Sequence, residues 1–210
     1  MRRVRYGVGM SLDGFIADAS GRTSFLVSDP TYDSAPFFAS IDTVLMGRVT
    51  YEEAVRQGMR AYPGLQNYVV SRTLQPRDFP EVTILGDNVE RAVADLRDGT
   101  GKDIWLCGGG MLFRTLIAAG LVDTVELGVS PLLLGRPGIP MLAVDPPLRE
   151  SVRLQLTTHR PLASGLLILE YTVQKDARSR KRLQLPRARA VSNPPGRRGR
   201  RATPSDGVHR

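Results

Sequence analysis

Nine residues, Trp105-Leu106-Cys107-Gly108-Gly109-Gly110-Met111-Leu112-Phe113, lead from one apolar stretch through three glycines into another. Read as strand, turn and helix, they set bare backbone beside the first turn of a helix. Glycine lets a ligand come close to the main chain and adopts φ values closed to other residues. The unpaired N–H groups of that turn, with the helix dipole behind them, favour an anion, and a pyrophosphate is the natural guest. A tight connection without a ligand would look the same if the run stood alone. The run also lacks the spaced glycines of a Rossmann fingerprint.

Val44-Leu45-Met46-Gly47-Arg48-Val49-Thr50-Tyr51-Glu52 repeats the arrangement. A buried strand feeds Gly47 and Arg48, and Thr50 with Glu53 has capping-box spacing for a second helix. The planar fork of an arginine can donate two parallel hydrogen bonds to phosphate; a solvated arginine at a helix start is the plainer reading. Tyr68-Val69-Val70-Ser71-Arg72-Thr73 is a third strand ending in a hydroxyl and an arginine. All three sites fall just past the C-terminal ends of strands, where open α/β sheets hold ligands.

The elements needed to hold these residues follow from patterning. Val4 to Met10 reads as a strand, followed by the turn Ser11-Leu12-Asp13-Gly14. Ala35, Phe38 and Ala39 share one face of a helix expected over Thr31 to Ser40, with Phe37 and Phe38 as core and pocket wall. Thr43–Met46, Asn67–Ser71, Val82–Leu85, Ile104–Cys107 and Thr124–Val129 read as strands. Asn88–Asp98 and Met111–Ala119 read as helices, the second closed by Gly120. Trp105 and Cys107 are expected in the core. Arg153–Thr157 alternates polar and apolar and should pair with Leu167–Val173 across a turn at Pro161–Gly165. Alternating strands and helices closed by a hairpin imply an α/β fold: a mixed, mostly parallel sheet flanked by helices, with an antiparallel C-terminal edge.

Charge divides the chain at the same boundary. The formal net charge is +8, but residues 176–210 carry +9 and residues 1–175 carry −1. The last 35 residues hold no aromatic residue and many Arg, Pro and Gly, a composition that buries too little surface to offset chain entropy. The expected organisation is one domain over 1–175 and a disordered Arg-rich tail over 176–210. Neutralisation of phosphates by that tail is a route to nonspecific nucleic-acid binding, although no aromatic residue interleaves the arginines for base stacking. A single cysteine fits a reducing compartment. The apolar run behind Met1-Arg2-Arg3 is cut by Ser11, Asp13 and Asp18, so no signal sequence forms. No stretch approaches the roughly 20 apolar residues that span a bilayer. A cytoplasmic protein with no membrane partner is expected. Two histidines, one cysteine and scattered carboxylates give no metal-ligand spacing.

Taken together, Ser11-Leu12-Asp13-Gly14-Phe15-Ile16-Ala17, the Met-Gly-Arg-x-Thr-Tyr-Glu run, Val70-Ser71-Arg72 and the triple-glycine helix resemble the dihydrofolate reductase-like superfamily in order and spacing. They look most like its branch related to the reductase domain of riboflavin biosynthesis. Pro131–Gly138 and Ser164–Tyr171 extend the likeness, which covers about residues 4–174. The resemblance implies NADPH as hydride donor and a homodimer. Carried over by position, Gly47, Arg48, Val49 and Thr50 would hold the adenosine side of the pyrophosphate. Arg48, Ser71 and Arg72 would meet the 2′-phosphate, and Gly108, Gly109, Gly110, Met111, Leu112 and Phe113 would wrap the pyrophosphate from the other strand. Gly9 and Ile16 would face the nicotinamide, with Ser11–Ala17 as a closing loop.

The branch implies reduction of a small pyrimidine or pteridine, the nearest named reaction being that of 5-amino-6-(5-phosphoribosylamino)uracil. Folate reductases place an acid on the first long helix and a Thr on a later strand; this chain has Thr31 and Gly128 there. Dihydrofolate turnover is therefore expected to be absent or very slow. Riboflavin-pathway reductases carry G-x-x-T-V-x-x-D-x-P where this chain has Gly47–Glu52. Asp13 and Asp33, ahead of Asp29, are the candidate proton donors.

Overall fold

The structure is a computed structural model and describes residues 1–175. The expected tail, and the boundary set at residue 175, concern residues outside that range. In chain order the elements are β1 (Val4–Ser11), β2 (Phe15–Asp18), α1 (Ala35–Ala39), β3 (Ile41–Gly47), α2 (Arg48–Arg56), β4 (Gln66–Val70), β5 (Thr83–Leu85), α3 (Val89–Asp98), β6 (Asp103–Gly108), α4 (Gly110–Ala118), β7 (Thr124–Ser130), β8 (Gly138–Pro140), β9 (Leu154–Pro161) and β10 (Leu167–Val173). Eight strands form one sheet in the order β5-β4-β3-β6-β1-β7-β10-β9. Neighbours are parallel from β5 to β7, whereas β10 runs antiparallel to both β7 and β9. This is the expected mixed sheet with its antiparallel edge.

Side chains alternate across the pleat, so each central strand serves two faces. On one face Val4, Tyr6, Ile104, Leu106 and Val125 meet Val93 of α3 and Phe113 and Leu116 of α4. Tyr6 stacks on Phe113 with ring centroids 3.7 Å apart. On the other face Val44, Met46 and Val69 pack with Tyr51 of α2. Toward β1 and β7 that second face carries Gly7, Gly9, Trp105, Cys107, Glu126 and Gly128, which line a cavity.

Four local expectations need correction. α1 spans Ala35–Ala39 rather than starting at Thr31, and none of its residues is buried. Asp29 accepts from the Thr31 N–H and hydroxyl, and Asp33 accepts from the Ala35 N–H. Such side-chain turns compete with helix formation, which delays the helix until Pro36 can sit in its first turn. The capping box does not form, because α2 starts at Arg48 with Gly47 as N-cap and Thr50 lies inside it. A small second sheet, β2 paired with β8, was not anticipated. β9 extends to Pro161 and is exposed along its whole length.

Candidate active site

The cavity encloses about 720 Å³ on the face not covered by α3 and α4, within the usual range for small-molecule sites. Its upper edge is made by two helix starts. β3 and β6 are hydrogen-bonded neighbours, so α2 and α4 begin side by side. A Cβ at Gly47 would lie 3.7 Å from the Gly109 nitrogen, so the two strand ends meet backbone to backbone. The first-turn amides of both helices lack intrahelical acceptors and converge there.

The three glycines have different duties. Gly108 has φ +124°, and a Cβ on it would meet Thr50 Oγ1 at 3.6 Å. One on Gly109 would meet Thr50 Oγ1 alone, at 3.5 Å. A side chain on either would fill the cradle. Gly110 faces away from it: a Cβ there would strike the Pro140 carbonyl oxygen at 2.2 Å. Gly110 therefore serves the packing of α4 against β8. In the first turn of α4, Met111 is exposed while Leu112 and Phe113 are buried in the core, so only backbone groups of these two can reach a ligand.

The other candidate residues sort by position. Gly9, Ile16, Val49, Thr50 and Gly109 line the cavity. The Arg48 guanidinium is exposed and bonds the Glu52 carboxylate at 2.9 Å, a pairing that holds little energy in water. Ser71 is buried, and its hydroxyl accepts from the N–H groups of Thr73 and Leu74. It shapes the turn that presents Arg72. Arg72 is exposed and, among the described residues, makes no hydrogen bond or ion pair through its side chain.

The candidate proton donors fare unequally. Asp13 lies outside the cavity: its two oxygens accept from the Leu134 and Gly135 N–H groups at 3.0 Å. The Gly135 N–H, then the Ser11 hydroxyl and the Leu134 N–H, hold its pKa down at about 2. Asp33 lines a smaller adjoining cavity and is exposed. Asp29, ranked behind both, is the buried one and lines the main cavity. Bonds from Ser164 and then Thr31 lower its pKa and tie it to the β9–β10 turn.

Sequence reasoning missed part of the wall. Trp105 and Cys107, expected in the core, are only partly buried and line the cavity. Phe37 and Phe38 of α1 meet the Trp105 ring edge-on at 5.6 and 5.7 Å. Tyr62 closes the same cluster at 4.9 Å, with its hydroxyl 3.6 Å from Cys107 Sγ. Burial pushes the Cys107 thiol up to about 11, so it stays protonated at neutral pH. Gly7 and Glu126 also line the cavity; the alternation of Gly7 and Gly9 in β1 was the available signal. His159 sits exposed on β9, away from the cavity. Among the described residues no group of His, Cys, Asp and Glu is arranged to hold a metal.

The model of the RibD C-terminal domain matches residues 2–168. The chain belongs to that family. A curated relative, the uncharacterised protein YyaP of Bacillus subtilis, is 30% identical over 182 residues, covering 81% of this chain and 94% of YyaP. Among solved structures, a Shewanella sp. PV-4 protein named for riboflavin biosynthesis superposes with a TM-score of 0.69 at 23% identity, over 83% of this chain and all of that one. The Thermotoga maritima deaminase/5-amino-6-(5-phosphoribosylamino)uracil reductase gives 0.62 at 13% identity, over 82% of this chain and 57% of that one. Dihydrofolate reductase from Enterococcus faecalis, complexed with NADP(H), gives 0.57 at 19% identity, over 81% and 94%. The fold is thus dihydrofolate reductase-like.

Proposed function

We propose that this protein is an NADPH-dependent reductase acting on a small pyrimidine- or pteridine-type substrate, with reduction of 5-amino-6-(5-phosphoribosylamino)uracil as the nearest named reaction. The observation that carries the proposal is the paired helix start: Gly47 and Gly109 meet backbone to backbone above one aromatic-walled cavity. Two such starts suit a pyrophosphate, which carries two adjacent anions. The residues present fit NADPH. The amides of Arg48, Val49 and Thr50 on one side and of Gly110, Met111 and Leu112 on the other would hold the pyrophosphate. Arg72, with Arg48 once released from Glu52, would meet the 2′-phosphate. Gly9 and Ile16 would flank the nicotinamide. When bound, the cofactor supplies a hydride.

The chain's own part is to orient and to exclude water. Trp105, Phe37 and Phe38 form an apolar wall that would hold a flat ring parallel to its partner, the positioning contribution to catalysis. The folate alternative is disfavoured on two counts. Thr31 is exposed, and Gly128 offers no hydroxyl; Asp29 is ionised and already occupied by Thr31 and Ser164. The free thiol of Cys107 suits a reducing compartment, and we place the enzyme in the cytoplasm on that ground. The exposed edge strand β9, with Leu154 and Leu156 at 40% and 48% exposure, supports the homodimer included in this proposal.

The test is to incubate purified protein with NADPH and a panel of pteridines and aminopyrimidines, following absorbance of the reduced nicotinamide. Oxidation by a ribosylaminopyrimidine with little or none by dihydrofolate is expected. Rapid dihydrofolate reduction that is lost in Asp29→Asn would reverse the ranking of substrates.

A further inference from the structure

Four carboxylates line the main cavity: Asp29, Glu53, Glu126 and Glu170. Three are occupied. Asp29 is held by Thr31 and Ser164. Glu53 accepts from Arg56 at 2.5 Å and from Gln57 at 2.9 Å. Glu126 takes both arms of the Arg5 fork at 2.7 Å and also accepts from the Thr124 hydroxyl. Among the described residues, no hydrogen bond or ion pair engages the Glu170 carboxylate.

Its position is as telling as its vacancy. Glu170 of β10 stands directly across from Glu126 of β7, and Gly7 of β1 is Glu126's partner on the other side. One pleat further along the same face come Gly9, Gly128 and Ile168, again in register. Trp105 and Phe37 cover Gly7, and Leu26 covers Gly9, whereas Gly128 leaves its part of the cavity floor open beside Glu126 and Glu170. Glu170 also belongs to the adjoining cavity of about 550 Å³, lined by Arg5, Tyr32, Asp33 and Arg160. The cations there are already committed. Arg5 is forked onto Glu126, with its remaining arm on the Ser40 hydroxyl at 2.5 Å, and it lies 4.7 Å over the Phe37 ring. Arg160 lies over the Tyr32 ring at 5.4 Å. With three acids against two arginines, this end of the cavity suits N–H donors better than a phosphate.

We propose that Glu170 is a substrate-anchoring residue: its carboxylate accepts hydrogen bonds from the amino edge of a heterocycle held in the cavity beside Gly128. The inference rests on the reductase reading of this cavity and names the ring edge that the cavity reads. A carboxylate presents two acceptor oxygens, so adjacent N–H groups on one ring edge match it. Carbonyl oxygens in the same place would be repelled.

The probes are 5,6-diaminouracil and uracil, which share a ring and differ in two amino groups. Binding is followed by calorimetry, with NADPH titrated separately. Wild-type protein should bind 5,6-diaminouracil at least about tenfold tighter than uracil, since a hydrogen bond to a charged group is worth that much or more. Glu170→Gln should remove most of this preference, Glu170→Asp should keep part of it, and NADPH affinity should not change in either. Equal binding of the two probes by the wild type would overturn the proposal without any variant. A preference retained in Glu170→Gln would overturn it as well. Failure of the wild type to bind NADPH would sink the reductase reading instead, and the two probes would still decide the role of Glu170.

Discussion

Arg72 ends its strand with no side-chain partner among the described residues, whereas Arg48 is held by Glu52. This difference orders their expected contributions to a 2′-phosphate. Arg72→Ala should weaken NADPH about 10- to 100-fold, the effect of losing a charged hydrogen bond, and leave NADH nearly unchanged; equal losses for both cofactors would remove Arg72 from that role. Asp13 makes a second prediction. Its pKa is depressed from 3.8 to about 2 by the Gly135 N–H, then the Ser11 hydroxyl and the Leu134 N–H, and the contacts with Gly135 and Leu134 are made only on folding. A depressed carboxylate stabilises the fold above its unfolded pKa, and that stabilisation is lost as pH falls through the folded value. Melting temperature should therefore fall between about pH 4 and pH 2, and fall less steeply in Asp13→Asn. Identical slopes would show that the latch to Leu134 and Gly135 contributes nothing. Asp13 was legible in sequence as a carboxylate in a functional-looking turn. Its use was not, because the partners lie 121 and 122 residues away.

At the scale of elements, the two helix starts divide the triple glycine into binding and packing positions. Gly109 has φ −91°, and a Cβ there would make only an ordinary contact with Thr50 Oγ1, so Gly109→Ala should melt within a few degrees of wild type and lose most NADPH affinity. Gly110→Ala would drive a methyl into the Pro140 carbonyl, so it should lower the melting temperature by several degrees, as overpacking does. The same thermal loss in both variants would mean that the assignment is wrong. The strands that were legible, β1, β3, β4, β5, β6, β7, β9 and β10, each carry an apolar run or a polar–apolar alternation of their own. β2 and β8 have only four and three residues and pair across more than a hundred, so no local pattern announces them. α1 was overextended because its apolar spacing is genuine while Asp29 and Asp33 spend the preceding backbone on turns. The strand–glycine–helix motifs were legible because they are contiguous. The Glu126–Glu170 pair was not, since it requires the register of β7 on β10.

For the whole molecule, the described residues account for the fold, the cavity and both helix starts without residues 176–210. A chain ending at residue 175 should keep the melting temperature and NADPH affinity of the full chain, and salt-sensitive nucleic-acid binding by the full chain alone would assign that property to the excess of nine positive charges. Light scattering of the shortened chain should report a dimer; a monomer would refute the assembly part of the proposal. No helix among the described residues is long and apolar enough to cross a membrane. The central claim is that the cavity beneath Gly47 and Gly109 binds NADPH, and one titration tests it most directly. Trp105 is the only tryptophan in the chain and lines that cavity, so its fluorescence should be quenched saturably by NADPH, more weakly by NADH, and hardly at all in Gly109→Val. A flat titration with folded wild-type protein, or an unaltered one with folded Gly109→Val, would contradict the account.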